Sequence, residues 1–200
     1  MNVKSHWDQV FASRAPEQVS WYQAHLRVSL ELLQQSGIDR TARIIDVGAC
    51  DSTFVDDLLD LGSRDVTVLD VSPAALQRTR ERLGERSRLV TWLEADLLSA
   101  SLPESQYDLW HDRALFHFLI EAQDRQVYTN TAFQALRPGG HPIVATFAID
   151  GPEACSGLRT RRYSPESLQE EFGEAFELLD SRRENHRTPR AWKSASFTVC

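Results

Sequence analysis

Apolar residues in this chain switch repeatedly between short continuous runs and helical spacing. Ile44-Ile45-Asp46-Val47, within Arg43 to Val47, reads as a buried strand, and so does Asp65 to Asp70 with Val66-Thr67-Val68-Leu69 at its centre. Arg88 to Leu93, Tyr107 to His111 and His141 to Ala148 read as three more, with Pro142 tolerable only near the start of the last. Between them the period lengthens. Ser52 caps a helix through Val55, Leu58, Leu59 and Leu61 that Gly62 stops. Ser72-Pro73 opens one that turns Leu76, Thr79 and Leu83 inward and ends at Gly84. A third runs from Ala122 to Leu136 and closes at Arg137-Pro138-Gly139-Gly140. Ahead of the first strand, Ser5 with Asp8 predicts a short helix carrying Trp7, Val10 and Phe11. Ser20 with Gln23 predicts a second, with Trp21, His25, Val28 and Leu32 on one face and Gly37 at its end. After the fifth strand, Ser164-Pro165-Glu166 opens a short helix, and Phe176 to Arg183 and Lys193 to Val199 read as two final strands.

Alternating strands and helices predict an α/β fold, a Rossmann-like, seven-stranded, mostly parallel sheet with helices on both faces. The short connection between the last two strands makes them a hairpin, so the last strand runs antiparallel. A ligand in such a sheet sits beyond the carboxyl ends of the strands. The 200 residues fit a single domain: lid helices over 1–40, a ligand-binding core over 41–150, and a loop with the final hairpin over 151–200.

Composition narrows the function classes. The net charge of −7 argues against bulk nucleic-acid binding. It arises wholly in residues 1–150, whereas residues 151–200 are balanced and hold seven arginines. No apolar run reaches the roughly 20 residues of a membrane span, and the N-terminus lacks a signal-peptide core, so a cytoplasmic location is expected. Cys50, Cys155 and Cys200 lack metal-ligand spacing and read as reduced thiols, with no metal expected.

The chemistry concentrates where the first strand meets its helix. Asp46-Val47-Gly48-Ala49-Cys50-Asp51-Ser52 is a strand end, a small-residue turn and a helix start, and Asp70 closes the next strand. A lone turn of this kind also suits a nicotinamide enzyme. This one lacks a third glycine, follows two extra helices and precedes an antiparallel last strand, all foreign to that fold.

With Val68-Leu69-Asp70-Val71-Ser72, Glu94-Ala95-Asp96-Leu97, Tyr107-Asp108-Leu109-Trp110-His111 and Leu136-Arg137-Pro138-Gly139-Gly140 in order, the chain resembles the class I S-adenosylmethionine-dependent methyltransferases over nearly its full length. Trp110 to Phe118, Cys155-Ser156-Gly157-Leu158 with Arg162-Tyr163, and His186-Arg187-Thr188-Pro189 resemble a small bacterial single-domain subgroup. The resemblance implies S-adenosylmethionine as cofactor and S-adenosylhomocysteine as product. It implies that Gly48, Ala49 and Cys50 form the turn under the methionine end and that Asp46 faces its ammonium, directly or through water. Asp70 would accept the ribose hydroxyls, Val71 and Leu97 flank the adenine, Asp96 meet its amino group, and His111 meet the methionyl group through backbone or imidazole. Each acid equally suits a strand-end or capping role. Cys50 stands where the family usually has glycine; a redox or catalytic thiol is the alternative to a merely strained turn.

Acceptor candidates fall on the same face. Trp21 and Tyr22 belong to the lid. His117, His186 and Arg113 are candidate catalytic groups, and Arg162, Tyr163 and Arg187 candidate acceptor contacts, with an anionic or polar acceptor expected from the arginines. His117 also suits a satisfied core histidine, and Arg113 a partner for Asp112. The expected function is methyl transfer to a small-molecule acceptor by a monomer or homodimer, without nucleic acid or membrane. Lysine methylation of proteins and non-catalytic binding of the cofactor are the alternatives.

Overall fold

A computed structural model describes residues 3–13, 19, 21–187 and 194–199; for 186, 187 and 194–199 the description is of the backbone. Its strands are β1 (Arg43–Val47), β2 (Asp65–Asp70), β3 (Val90–Glu94), β4 (Tyr107–Arg113), β5 (Leu136–Ala148), β6 (Ala154–Cys155), β7 (Leu158–Arg159), β8 (Arg162–Tyr163), β9 (Arg182–Arg187) and β10 (Ser194–Val199). Its helices are α1 (Val3–Ser13), α2 (Arg27–Gln35), α3 (Phe54–Asp60), α4 (Pro73–Leu83), α5 (Ala122–Ala135) and α6 (Pro165–Phe172).

The sheet runs β3-β2-β1-β4-β5-β10-β9, and β10 is antiparallel to both neighbours, as expected of the last strand. It has eight strands rather than seven, because the two-residue β8 pairs parallel with Phe147 and Ala148. Side chains alternate between two cores. Ile44, Val66, Val68, Leu109, Ile143 and Ala145 face α2, α3 and α4. Ile45, Val47, Leu69, Trp110 and Val144 face Tyr128 and Ala132 of α5 and Leu168 and Phe172 of α6. The period-two pattern of a strand covered on both faces thus appears as two apolar layers.

β1, β2 and α4 match their predicted starts, and Ser72 caps α4 by accepting from the Ala75 N–H at 3.3 Å. Four expectations are corrected. The helix expected from Ser20 begins at Arg27: residues 21–26 form turns, and Trp21 instead packs edge-on against Trp7 and Phe11. β4 runs two residues past His111. The Pro138-Gly139-Gly140 turn lies within β5, where the register jumps from Tyr107↔Leu136 to Leu109↔His141. β9 begins at Arg182 rather than Phe176, because the Phe176 ring packs on Phe133 and Phe172. Of the turn expected between the last strands, Thr188, Arg190 and Trp192 lie outside the described residues.

Candidate active site

β1 delivers the chain into a turn with two left-handed residues, Gly48 at φ 59° and Cys50 at φ 54°. Gly48 is required twice over: an added Cβ there would lie 2.3 Å from Leu115 Cδ1. Cys50 has no such licence, and an L-residue there costs about 1–2 kcal/mol. The surroundings over-determine the conformation. The Cys50 N–H donates to Asp70 Oδ2 at 2.7 Å, and the Thr79 hydroxyl reaches the Cys50 carbonyl at 3.4 Å. Arg82 donates to the Asp51 carbonyl at 2.9 Å and pairs with Asp56, while Arg78 meets the buried Asp51 carboxylate. Cys50→Gly is expected to raise unfolding stability by about 0.5–1 kcal/mol, once the extra freedom of glycine in the unfolded chain is deducted. Urea denaturation checks this; a loss of stability counts against strain at Cys50. Desolvation, then the charges of Asp70, Asp51 and Asp46, push the Cys50 thiol well above its ordinary range. It is a protonated thiol, not a thiolate nucleophile.

Asp70 ties the turn to β2. Its Oδ1 accepts from the Ser72 N–H at 2.8 Å, complementing the Cys50 bond on Oδ2, and burial pushes its carboxyl up to about 6 against those two donors. The Cys50 thiol also hydrogen-bonds this carboxylate. Asp70, Val71, Asp96 and Leu97 all line one cavity with Gly48, Ala49 and Cys50.

Asp46 and His111 are placed elsewhere. They are register partners on neighbouring strands, so their side chains share a face, and His111 Nδ1 lies 2.6 Å from Asp46 Oδ1. His111 Nε2 is 2.9 Å from the Ser29 hydroxyl, and its ring stacks on Phe54. Serine, histidine and aspartate in this order have the connectivity of a hydrolase triad. All three are buried and none lines the cavity, so the chain of bonds fastens α2 to the sheet. Because β4 extends to Arg113, the residues at its cavity end are Arg113, Ala114 and Leu115 rather than His111.

The acceptor side is aromatic. Trp7 packs against Trp21 at 6.1 Å and Phe118 at 5.2 Å between ring centres. Arg113, whose side chain is 7% exposed, donates to the Trp21 carbonyl at 3.1 Å and to Glu184 of β9 at 3.4 Å; Glu184 also accepts from Gln23 at 2.8 Å. This latch joins lid, β4 and β9, and it commits Arg113 to structure. His117 is wholly buried with its ring stacked on Phe147, and neither ring nitrogen has a hydrogen-bond partner. Burial and then Arg113 push it down to about 3, so the ring is neutral. Asp112 is also occupied: it accepts from the Leu115 and Phe116 N–H groups and the Tyr128 hydroxyl, and burial raises it to about 6.

Trp21 and Tyr22 line the cavity; Arg162 and Tyr163 do not. Arg162 pairs with Glu153 at 3.1 Å, and Tyr163 is packed against Phe116 in the core beneath. β8 pairing draws both away from the expected acceptor contact. The backbones of His186 and Arg187 lie in β9, and their side chains lie outside the described residues. Sequence reasoning missed Leu115, Phe118, Phe147, Ser156 and the Glu184 latch; all depend on packing between elements distant in sequence. The cavity holds about 640 Å³, within the roughly 300–1,000 Å³ of small-molecule sites.

A methyltransferase-domain family profile matches residues 44–140, which span this turn, Asp70, Asp96 and the end of β4. Over these residues, just under half of its length, the chain is similar to methyltransferase domains. An eEF1A lysine and N-terminal methyltransferase homolog from Drosophila melanogaster is 24% identical over 144 residues, covering 69% of this chain and 21% of that protein. The chain thus spans about a fifth of the length of the curated methyltransferases it first matches. Two solved methyltransferases share its fold. The N-methyltransferase NodS of Bradyrhizobium japonicum WM9, in complex with S-adenosylhomocysteine, has a TM-score of 0.74 at 18% identity, covering 100% of this chain and 97% of that one. The 1,6-didemethyltoxoflavin-N1-methyltransferase of Burkholderia thailandensis, with 1,6-didemethyltoxoflavin and S-adenosylhomocysteine bound, has a TM-score of 0.69 at 22% identity, covering 98% and 81%. No helix of the described residues is long and apolar enough to cross a membrane.

Proposed function

We propose that this chain transfers a methyl group from S-adenosylmethionine to a small-molecule acceptor. The observation that carries the reading is a single cavity joining the Gly48–Cys50 turn, Asp70, Val71, Asp96 and Leu97 to the aromatic lid and His117. The cofactor supplies a sulfonium-bound methyl group and departs as a neutral thioether. Asp70 accepts the ribose hydroxyls, Leu97 and Val71 flank the adenine, and Asp96 stands at the rim beside them. Cys50 holds the turn that curves around the methionine end. Asp46 and His111 support this arrangement from below, by fixing β1 against β4 and α2. An in-line displacement needs alignment and exclusion of water, and the Trp7, Trp21 and Phe118 rings provide both.

Isothermal titration with S-adenosylmethionine, S-adenosylhomocysteine and NAD tests the cofactor. The first two are expected to bind and NAD is not; binding of NAD alone overturns the reading. Methylation of protein is the second reading, favoured by the names of the eEF1A methyltransferase relatives. Cofactor turnover on purified protein acceptors, with none across a panel of small molecules, decides for it. Cofactor binding without turnover on either set makes the chain a binder of S-adenosylmethionine.

A further inference from the structure

The acceptor half of the cavity has an unusual polar complement. His117 is wholly buried with both ring nitrogens unpartnered. The Trp21 indole N–H and the Ser156 hydroxyl are likewise buried without a partner, and all three residues line the cavity. Ser156 sits at φ 50°, a left-handed conformation that serine adopts at a cost. Buried polar groups in native structures are nearly always satisfied, and three gathered on one cavity are the complement of a missing ligand's polar edge. None of the three carries charge. Among the described residues Arg113 is the one buried cation on this side, and Glu184 already answers it. Arg159 and Asp124 stand where water reaches them. Around them the lining carries the rings of Trp7, Tyr22, Phe118 and Phe147 and the aliphatic Leu119, Ile120 and Leu158.

We propose that the methyl acceptor is an uncharged, planar aromatic molecule, packed among these rings and hydrogen-bonded by the His117 imidazole, the Trp21 indole N–H and the Ser156 hydroxyl. The inference rests on the methyltransferase reading and replaces the anionic acceptor expected from the arginine-rich C-terminal quarter. A buried anion would need a buried cation to spare, and among the described residues Arg113 is paired, Arg159 of the lining is solvent-exposed and Arg162 lies outside the cavity. A protonated amine would lose its hydration among these largely apolar groups. His117 serves as a hydrogen-bond partner and not as the proton acceptor of the reaction, so a nucleophile that attacks without first losing a proton fits best, such as a ring nitrogen with a lone pair. Its attack forms the nitrogen–methyl bond as the sulfur–methyl bond breaks, with the bonding pair leaving on sulfur.

The test is a charge series of one shape: 2-naphthamide, 2-naphthoate and 2-naphthylmethylammonium, each titrated calorimetrically with and without saturating S-adenosylhomocysteine. The amide is expected to bind at least tenfold more tightly than either ion. His117→Phe and Trp21→Phe are each expected to weaken amide binding about three- to tenfold, the range for one lost hydrogen bond between neutral groups. S-adenosylhomocysteine affinity should stay unchanged in both, which also shows that the variants fold; if His117→Phe does not fold, Trp21→Phe carries the comparison. Equal or tighter binding of either ion, no binding of the amide, or unchanged amide binding in the folded variants overturns the proposal. Selective amide binding by a protein that ignores S-adenosylhomocysteine would instead overturn the methyltransferase reading and leave the pocket assignment standing.

Discussion

Asp70→Ala is expected to weaken S-adenosylmethionine binding at least about a hundredfold. Two charge-assisted hydrogen bonds to ribose contribute about 1.5 kcal/mol or more each, and 1.4 kcal/mol is tenfold in affinity. The substitution also removes what shapes the turn, because the Cys50 and Ser72 N–H groups both lose their acceptor. Unfolding stability should therefore fall by about 2 kcal/mol. Asp70→Asn divides the two effects: it keeps the volume and one of the two acceptors, so it should retain no more than about half of that stability while binding cofactor poorly. The wild-type pH dependence has a definite sign. Burial raises the folded carboxyl to about 6, above its unfolded value, so the folded state holds this proton more tightly. This group's contribution to stability is then greatest below about pH 4 and declines as pH rises towards 6. Cofactor affinity moves the other way, because the ribose hydroxyls donate to the carboxylate: it should rise through about pH 6 in the wild type and stay flat in Asp70→Asn. Calorimetry between pH 5 and 8 reads both curves, and an Asp70→Ala protein that binds the cofactor normally removes Asp70 from the site.

The contrast between Asp70 and Asp46 shows what a single chain of residues discloses. Both are acids near the ends of apolar runs, and sequence alone offers both as cofactor contacts. Asp70 is the last residue of β2 and reaches the cavity; Asp46 lies one residue inside β1, on the face that meets His111. One position of strand alternation separates a residue that lines the cavity from a buried fastening. The mostly parallel sheet with its antiparallel last strand, the capped start of α4 and the small-residue turn after β1 were legible because local pattern and turn chemistry fix them. The lid was legible as aromatic residues but not as a helix from Ser20, since Trp21 gains more from Trp7 and Phe11 than from helical phase. The Arg113–Glu184–Gln23 latch follows from contacts across 71 and more positions in sequence, and the burial of His117 from its packing on Phe147, for neither of which a short-range signal exists.

Gly48→Ala is expected to destabilise the fold by about 3 kcal/mol and to abolish cofactor binding. The left-handed backbone contributes about 1–2 kcal/mol for any L-residue, and overpacking a close contact about 1–3 more. The overpacking part depends on whether Leu115 can yield. Its Cδ1 and Cβ would lie 2.3 and 2.7 Å from the new methyl group. The loop that carries it is pinned on both sides: the Leu115 and Phe116 N–H groups donate to Asp112 at 2.8 and 3.0 Å, Tyr128 holds the same carboxylate at 2.7 Å, and the Ala114 N–H donates to the Ala145 carbonyl at 2.9 Å. Ala114 itself is left-handed at φ 76°, so the loop has little freedom to swing. A double variant, Gly48→Ala with Leu115→Ala, tests the larger part of the clash, because it removes the Cδ1 and Cγ contacts and keeps the Cβ contact and the backbone strain. It should be more stable than the sum of the single changes by about 1–2 kcal/mol, the coupling of residues in direct contact. Additive energies would mean that Leu115 moves aside in the single variant and that backbone conformation alone demands glycine. Coupled energies would mean that Leu115 sets the floor of the turn, so that the end of β4 shapes the methionine side of the cavity through a leucine rather than through His111.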